Sequence, residues 1–345
     1  MKTVKENRGE HLQVAIVGLG VGEQHARAFD RNQHSQIRWL CDFDLEKADR
    51  VRNDIGCQGA LLTCDIDEVL NDPVVDVVSI ASYDDHHYNQ VLDSLNAGKH
   101  TFVEKPLCRG MEELSKIKEL WNSRQPEIKL QSNLVLRAAP LYKWLQHVIK
   151  SGDFGNIYSF DGEYLYGRLS KLTHGWRKNV RDYSVLEGGG IHLIDLMLWL
   201  VRENPVEVFA VGNKIATQSS EFVYNDFATS IMQFPSGLVG RITANFGCVH
   251  QHQHVMRVYG TNKTFLYDDS GARTHENRDP DDEILPVSLQ PLPSGKGDLI
   301  DDFVNSILDK RDVTERTQAI FDAISICAAS DKSMKTGRPE KINYV

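Results

Sequence analysis

The sequence predicts an α/β protein of two domains. An N-terminal Rossmann domain with a doubly wound parallel sheet is followed by a C-terminal α/β domain with an open, mostly antiparallel sheet. The 345 residues are too many for one ordinary hydrophobic core. Strand-like and helix-like stretches alternate over the first 135 residues, and hairpin signals follow after about residue 150. We therefore expect domains at 1–135 and 136–345, with a frayed tail at 1–10.

Short apolar runs in the first domain are typical of strands buried on both faces. The first run, Leu12–Val17, is followed at once by glycines and then by a helical stretch. A second run at 37–41 ends at Asp42, and the run at 74–81 is the most apolar in the chain. Helical stretches separate these runs, as the connections of a parallel sheet require.

Two hairpins are predicted in the second domain, with turns at 235–237 (PSG) and 260–262 (GTN). Residues 270–297 are polar and rich in Pro, Gly and Asp, so we predict a long surface loop before two closing helices. An open antiparallel sheet leaves one face without helices, and such a face needs burial. We therefore expect a homo-oligomer, either a dimer or a tetramer.

The composition excludes several classes of function. The net charge is −9 and no long basic block stands out, so nucleic acid is not an expected partner. No stretch approaches the roughly 20 apolar residues of a membrane span, and residues 1–13 lack the apolar core of a signal peptide. The six cysteines are scattered without a CxxC pair, so we expect reduced thiols in a cytoplasmic protein.

A glycine turn after the first strand predicts a dinucleotide site. It reads Gly18-Leu19-Gly20-Val21-Gly22 and leads into a helix. Glycines let the backbone approach a pyrophosphate, and the N-terminus of the helix faces its negative charge. Asp42, 24 residues beyond Gly18, is placed to bind the adenosine ribose hydroxyls and to repel a 2′-phosphate. NAD is therefore expected rather than NADP; the alternative is a structural turn followed by an exposed Asp.

Four further segments together resemble one family. Residues 82–87 (SYDDHH) follow the most apolar run, and residues 97–106 (AGKHTFVEKP) follow the next helix. Residues 133–140 and residues 188–195 (GGGIHLID) come later in the chain. These segments resemble the TPNxxH, AGKHVxxEKP, domain-crossover and GxHxxD segments of the Gfo/Idh/MocA family (glucose–fructose oxidoreductase, inositol dehydrogenase, rhizopine catabolism). The similarity extends over about residues 12–335.

The resemblance implies a site as well as a fold. The lysine of EKP, Lys105, and the histidine of GxHxxD, His192, are implied to meet beside the nicotinamide as the catalytic pair. Many members carry an Asp four residues before that histidine, whereas here the position is Gly188, preceded by Glu187. The Trp176-Arg177 pair and Asp195 are implied to bind substrate. The cofactor is expected to be bound by Gly18, Leu19, Gly20, Val21, Gly22, Asp42, Ser82, Tyr83, His87, Glu104, Lys105 and Asn133.

These residue types suit the oxidation of an alcohol. The cofactor takes a hydride from carbon, and the protein must take a proton from oxygen. A histidine titrates near neutral pH and suits that base, while a lysine stabilises the developing alkoxide. His192 and Asp195 are spaced i, i+3 and share a helix face. The alternatives are a core histidine for His192 and a structural role for Asp195.

Three alternating histidines, His250, His252 and His254, are expected to line one face of a strand. A metal site needs fixed geometry and usually ligands from a second element. We therefore expect a solvated or interfacial sheet face there, and no metal.

The sequence thus predicts a dinucleotide-binding first domain and a second domain for substrate binding and oligomerisation. The expected function is NAD(H)-dependent oxidation or reduction of a hydroxyl or ketone on a sugar, a cyclitol or a nucleotide-linked sugar. One alternative is a nicotinamide-binding regulator without catalysis. Another is a glycosidase that uses tightly held NAD for transient oxidation. The substrate and the physiological direction are not specified by the sequence.

Overall fold

Strands and helices alternate up to Ser132 and lose that alternation afterwards. The computed structural model describes residues 11–279, 281 and 284–345, so the tail expected at 1–10 lies outside the described residues. The first elements are β1 (Leu12–Val17), α1 (Gly22–Arg31), β2 (Ser35–Cys41), α2 (Leu45–Ile55), β3 (Leu61–Thr63), α3 (Ile66–Asn71), β4 (Val77–Ile80), α4 (His87–Asn96), β5 (His100–Val103), α5 (Gly110–Arg124) and β6 (Leu130–Ser132).

The later elements form the second half of the chain, and several of their strands are long. None of the helices in the described part of the chain has the length and apolar character needed to cross a membrane. The later elements are α6 (Pro140–Lys150), β7 (Ile157–Leu165), α7 (Ser170–Thr173), α8 (Ile191–Val201), β8 (Glu207–Asn213), β9 (Phe227–Gln233), β10 (Val239–Asn245), β11 (Gln253–Gly260), β12 (Thr264–Asp268), β13 (Gly271–His275), β14 (Leu285–Pro286), α9 (Ile300–Leu308), α10 (Thr314–Thr336) and β15 (Glu340–Lys341).

The chain divides into two units. The first unit contains the described residues up to Val135 together with Ser294–Gln318, and the second contains Leu136–Pro293 with Ala319–Val345. In the first unit, β1 to β6 form a sheet in the order β3-β2-β1-β4-β5-β6, in which all neighbours are parallel. The strand order reverses between β1 and β4, where ligands bind at the carboxyl ends of the strands in such sheets. The predicted Rossmann sheet is therefore confirmed.

Helix α9 completes the hydrophobic core of the first unit. Its residues Ile300, Phe303 and Val304 are buried in one cluster with Val14 and Phe102. The rings of Phe102 and Phe303 lie 5.4 Å apart. Burying a side chain of this size stabilises a fold by about 1.5–3 kcal/mol. The segment that carries α9 therefore belongs to the first unit, although the sequence placed it within the second domain.

In the second unit, nine strands form one sheet in the order β14-β13-β12-β11-β7-β10-β9-β8-β15. The pair β7 and β10 is parallel and the other pairs are antiparallel. The open, mostly antiparallel sheet is thus confirmed. Helix α8 packs closely on one face, since a side chain added at Gly162 would meet Leu193 and one at Gly240 would meet Met197.

The opposite face of this sheet carries a mixed row of side chains. Phe209 pairs with Ile231, Ile231 with Arg241, and Arg241 with Asp161 across neighbouring strands. Arg241 and Asp161 form a salt bridge at 2.6 Å, while Ile231 keeps 49% of its surface exposed. Among the described residues no helix covers these apolar side chains, and Phe209 and Ile231 stay exposed.

Both predicted hairpins are present, as β9–β10 and β11–β12. The single loop predicted at 270–297 is wrong, because β13 pairs with β12 and β14 pairs with β13. These edge strands are polar and short, so their sequence lacks the apolar alternation that indicates a strand, and pairing decides their conformation. Residues 280, 282 and 283 of that segment lie outside the described residues.

Candidate functional site

The glycine turn between β1 and α1 is shaped for close backbone approach. Gly18 has a φ of +82°, and a Cβ there would lie 2.6 Å from Ser82 N. Only glycine therefore fits. Gly22 packs tightly, since a Cβ would lie 3.2 Å from Ile16 Cγ2, whereas no atom lies within 4 Å of a Cβ placed at Gly20. The turn leaves open space in front of the first residues of α1, where a helix N-terminus attracts anions.

Asp42, at the end of β2, braces this turn. Its Oδ2 accepts hydrogen bonds from Leu19 N at 2.6 Å and from Lys47 Nζ at 3.1 Å. Its Oδ1 accepts one from Asp44 N at 3.0 Å. Asp42 is 4% exposed as a residue, so it is not the exposed acid of the structural alternative. Sequence reasoning missed Lys47, whose only signal was its position one turn into α2.

The segment after β4 is held by His87. This side chain is fully buried, with Nδ1 2.7 Å from Pro106 O and Nε2 3.3 Å from Ser82 O. Ser82 Oγ donates to Gln90 Oε1 at 2.6 Å. Tyr83 next to it keeps 41% of its surface exposed. The geometry thus gives His87 a bracing role between two loops, whereas Tyr83 stays partly exposed on the surface.

Glu104, the acid of the EKP segment, lies in a buried polar network of the first unit. Its Oε1 is 3.1 Å from His25 Nε2 and accepts a hydrogen bond from Asn133 Nδ2 at 2.7 Å. His25 Nδ1 lies 3.0 Å from Ser79 Oγ. Burial by itself raises the pKa of Glu104, but the hydrogen bond and charge of His25, the charge of Lys296 and the Asn133 amide outweigh it and lower the pKa to about 2. Glu104 is therefore a carboxylate at neutral pH.

Lys105 follows this fixed carboxylate. Its backbone N lies 3.3 Å from Glu104 Oε2, and its peptide bond to Pro106 is cis. The lysine is half-buried, two residues beyond the carboxyl end of β5. That end of a doubly wound sheet is where ligands bind. The network around Glu104 therefore fixes the backbone that presents Lys105.

His192, in the second unit, is the second residue of helix α8, which follows an unusual turn. Residues 186–190 form a π-helical turn, a feature that occurs frequently at functional sites. His192 is 5% exposed, and its ring centroid lies 6.2 Å from that of Tyr164 and 6.1 Å from that of His254. The histidine thus lies in an aromatic cluster that the sequence did not predict.

The space beside Gly188, where many family members carry an Asp side chain, is occupied here by the side chain of Tyr183. A Cβ at Gly188 would overlap the Tyr183 hydroxyl and lie 2.8 Å from Tyr183 Cζ. Arg177 Nε donates a hydrogen bond to Tyr183 Oη at 3.1 Å. The Arg177 guanidinium also lies 4.5 Å from the centroid of the Trp176 ring. The predicted Trp176-Arg177 pair is therefore connected to Tyr183, which sequence reasoning missed because Tyr183 has no motif around it.

Asp195 is engaged within the second unit. Its two carboxylate oxygens accept hydrogen bonds from Arg137 at 2.9 and 2.5 Å, and it is 1% exposed. Burial raises the pKa of Asp195, against the lowering effect of the Arg137 charge and hydrogen bond. This geometry favours the structural role for Asp195 over the substrate contact expected from the sequence.

The three alternating histidines do not share one strand face, because β11 begins only at Gln253. His254 is 5% exposed and its ring lies 4.8 Å from that of His252. His250 instead contacts Asp269, with Nε2 3.2 Å from the carboxylate. The expected solvated or interfacial face is therefore wrong for His254, which faces the interior. In the part of the chain that the structure describes, no three His, Cys, Asp or Glu side chains are placed to hold a metal ion.

The residues of the first unit fit a bound NAD. Gly18 lets the turn pack directly against the backbone of Ala81 and Ser82, and the space at Gly20 is open to a ligand. Asn133 Oδ1 is buried and has no hydrogen-bond partner among the described residues, so it can accept one from a ligand amide. Sequence reasoning found Asn133 and Glu104 but missed His25 and Ser79. His25 contacts Glu104 across 79 residues of chain and Ser79 across 54 residues.

The parallel sheet, the glycine turn and the antiparallel second sheet define a class of two-domain dinucleotide-binding proteins. Residues 12–130 match the family described as oxidoreductase family, NAD-binding Rossmann fold, and residues 142–266 match the GFO/IDH/MocA C-terminal domain. The chain belongs to the Gfo/Idh/MocA family of oxidoreductases and carries its NAD-binding Rossmann fold. The family predicted from the sequence is thereby confirmed.

Relatives of known sequence share modest identity with the chain. Myo-inositol 2-dehydrogenase of Thermotoga maritima is 23% identical over 257 residues, covering 72% of this chain and 73% of that protein. UDP-N-acetylglucosamine 3-dehydrogenase of Acidithiobacillus ferrooxidans is 25% identical over 250 residues, covering 72% and 71%. An uncharacterized oxidoreductase of Synechocystis is 27% identical over 219 residues, covering 61% of this chain and only 56% of that protein.

Solved structures share the fold over nearly the whole chain. Levoglucosan dehydrogenase in complex with NADH and levoglucosan matches with a TM-score of 0.83 at 19% identity, covering 97% of this chain and 100% of that one. Myo-inositol 2-dehydrogenase from Lactobacillus plantarum matches with a TM-score of 0.79 at 21% identity, covering 96% and 100%.

Proposed function

We propose that the chain is an NAD(H)-dependent dehydrogenase or reductase that acts on a hydroxyl or ketone of a sugar, a cyclitol or a nucleotide-linked sugar. The observation that carries the proposal is Lys105, presented beside the buried Glu104 carboxylate at the ligand-binding edge of the first sheet. His192, at the start of α8, supplies the second reactive group. The relatives that act on inositol, UDP-N-acetylglucosamine and levoglucosan support this substrate class.

Bound NAD supplies the hydride acceptor, and the protein's residues manage the proton and the charge. The N–H groups at the start of α1 would hold the pyrophosphate, and Asp42 would accept hydrogen bonds from the adenosine ribose. In the oxidative direction, His192 takes the hydroxyl proton as general base. The Lys105 ammonium would stabilise the negative charge that develops on a substrate oxygen. In the reductive direction His192 returns the proton.

The test is a screen for cofactor reduction with inositols, free sugars, levoglucosan and UDP-N-acetylglucosamine. We expect NADH absorbance to appear with at least one of these compounds. No absorbance should appear in a control reaction from which NAD is omitted. Product formed without net NADH would instead identify transient oxidation, as in the glycosidase alternative. Tight NAD binding without turnover of any compound would refute the dehydrogenase proposal and favour the regulator.

NAD(H) is expected to bind about tenfold or more tightly than NADP(H). The 2′-phosphate of NADP(H) would lie close to the Asp42 carboxylate. Two like charges a few ångströms apart near a protein surface repel each other by about 4 kcal/mol. Fluorescence titration of both cofactors measures the difference. Asp42→Ser should narrow it, whereas Glu46→Gln on the exposed surface of α2 should leave it unchanged. Equal binding of the two cofactors by the unmodified protein would refute the assignment.

The chain is expected to form a dimer or tetramer through the exposed face of the second sheet. Val211 and Ile231 are each 49% exposed on strands β8 and β9, and burying them against a second copy removes apolar surface from water. Light scattering at micromolar concentration should give a multiple of the 39.0 kDa chain mass. The double variant Val211→Lys with Ile231→Lys should have a lower mass in solution. The control Val74→Lys in the first unit should keep the mass of the unmodified protein. A monomeric mass for the unmodified protein would contradict this expectation.

A further inference from the structure

Gly188 and Tyr183 are matched to each other. The glycine lies four residues before His192, where many family members carry an acidic side chain. A Cβ at this position would overlap the Tyr183 hydroxyl, so a side chain at 188 and the phenol cannot both be present. Tyr183 is 6% exposed, with its ring 6.0 Å from that of Phe222 in an edge-on arrangement. The Tyr183 ring is therefore held by packing beside Gly188.

The place that the Tyr183 hydroxyl takes is one helical turn before His192 in the chain. Side chains four residues apart on a helix have Cβ atoms about 5–6 Å apart. The Tyr183 oxygen occupies the place of the first side-chain atom at 188. The phenol oxygen therefore lies where an acidic side chain at position 188 would approach the histidine.

Arg177 determines which hydrogen bonds the phenol can make. The oxygen accepts one from Arg177 Nε at 3.1 Å, and the guanidinium is itself held over the Trp176 ring. A phenol oxygen has a second lone pair and one O–H to donate. It can therefore accept a hydrogen bond from a ring N–H, as a carboxylate does, although it carries no charge.

We propose that Tyr183 is the positioning residue for His192 and takes the place of the acidic side chain missing at position 188. Its oxygen accepts the hydrogen bond of one ring nitrogen, so that the other nitrogen presents its lone pair to the reacting hydroxyl. The substrate's O–H proton moves to that nitrogen, while Tyr183 and Arg177 keep their own protons. This inference rests on the proposed dehydrogenase function and concerns the same reaction.

The first test removes only the hydroxyl, with Tyr183→Phe. We expect single-turnover hydride transfer to fall about 10- to 100-fold, the range that a hydrogen bond to a charged group is worth, with NAD affinity unchanged. The acid limb of the pH profile of kcat/KM should move to lower pH, because the protonated histidine loses an acceptor. Tyr142→Phe is the matched control: it removes the hydroxyl of a fully buried tyrosine on α6 in the same unit, and its rate and pH profile should equal those of the unmodified protein.

The second test is a double-mutant cycle with Gly188→Ala, which forces the phenol from its place. Its loss should resemble that of Tyr183→Phe, and the combined variant should lose little more than either one, because both changes remove the same hydrogen bond. Unaltered rate and pH profile in a folded Tyr183→Phe variant would overturn the inference. Additive losses in the cycle would do so as well. If the unmodified protein oxidises no compound of the panel, the proposed function itself fails, which is a separate outcome.

Discussion

Replacing Lys105 by methionine is expected to slow hydride transfer by at least about 10²-fold, equivalent to on the order of 3 kcal/mol of transition-state stabilisation. Methionine keeps the unbranched chain but removes the positive charge that stabilises the developing alkoxide. The buried network around Glu104 holds the backbone without the lysine side chain. Cofactor affinity should therefore persist, and single-turnover kinetics with a separate NAD titration measure both quantities.

Lys116→Met is the matched control for this experiment. Lys116 lies on α5 in the same unit, with its side chain 54% exposed and paired with Glu112 at 2.8 Å. Exposed pairs of this kind contribute little to stability, so this variant should behave like the unmodified protein. Near-normal transfer in Lys105→Met would remove the lysine from the mechanism. A loss confined to NAD affinity would make it a cofactor ligand only.

Replacing His192 by alanine is expected to lower the rate about 10²- to 10⁴-fold, the usual contribution of general acid–base catalysis. The residual rate should also lose the pH dependence that titration of the base produces, since water or hydroxide then takes the proton. NAD affinity should stay unchanged, because the glycine turn and Asp42 belong to the first unit. The measurements are single-turnover transfer across pH and a cofactor titration.

His147→Ala on the exposed surface of α6 is the control for removing a histidine from the second unit. Thermal unfolding of both variants separates a catalytic loss from a packing loss, because the His192 ring also packs in the cluster with Tyr164 and His254. If His192→Ala unfolds at a lower temperature yet transfers hydride normally, His192 is a core histidine, and the general base lies elsewhere.

Most of the cofactor-binding unit could be predicted from the sequence because its determinants are local. A glycine at 18 is required by its own φ and by the close approach of Ser82 N, and glycines in a strand–turn–helix pattern are readable without tertiary information. The partners of Glu104 could not be predicted in the same way. His25 and Asn133 reach it from positions 79 and 29 residues away in the chain, and no spacing rule connects them.

The second unit was predicted less completely for a related reason. The hairpins β9–β10 and β11–β12 carry their own turn signals, and both are present. The proposed role of Tyr183 depends on the lack of a side chain at Gly188. Comparison with the family's motif shows only that the usual Asp is missing there, and not which residue takes its place. Likewise Asp195 looked available on a helix face until Arg137, 58 residues earlier, was found to bind both of its oxygens.

The return of α9 to the first unit has a consequence for modularity. A fragment ending at Val135 would expose the apolar surface that Phe303 covers beside Phe102. On the ribosome, about 170 residues must still be made between β6 and α9, which takes roughly 10–30 s at typical rates of synthesis. The nucleotide-binding unit is therefore expected to complete its core only after residues 294–318 have been made, although its first 135 residues are encoded first. Grafting it onto another protein requires residues 294–318 to be carried along.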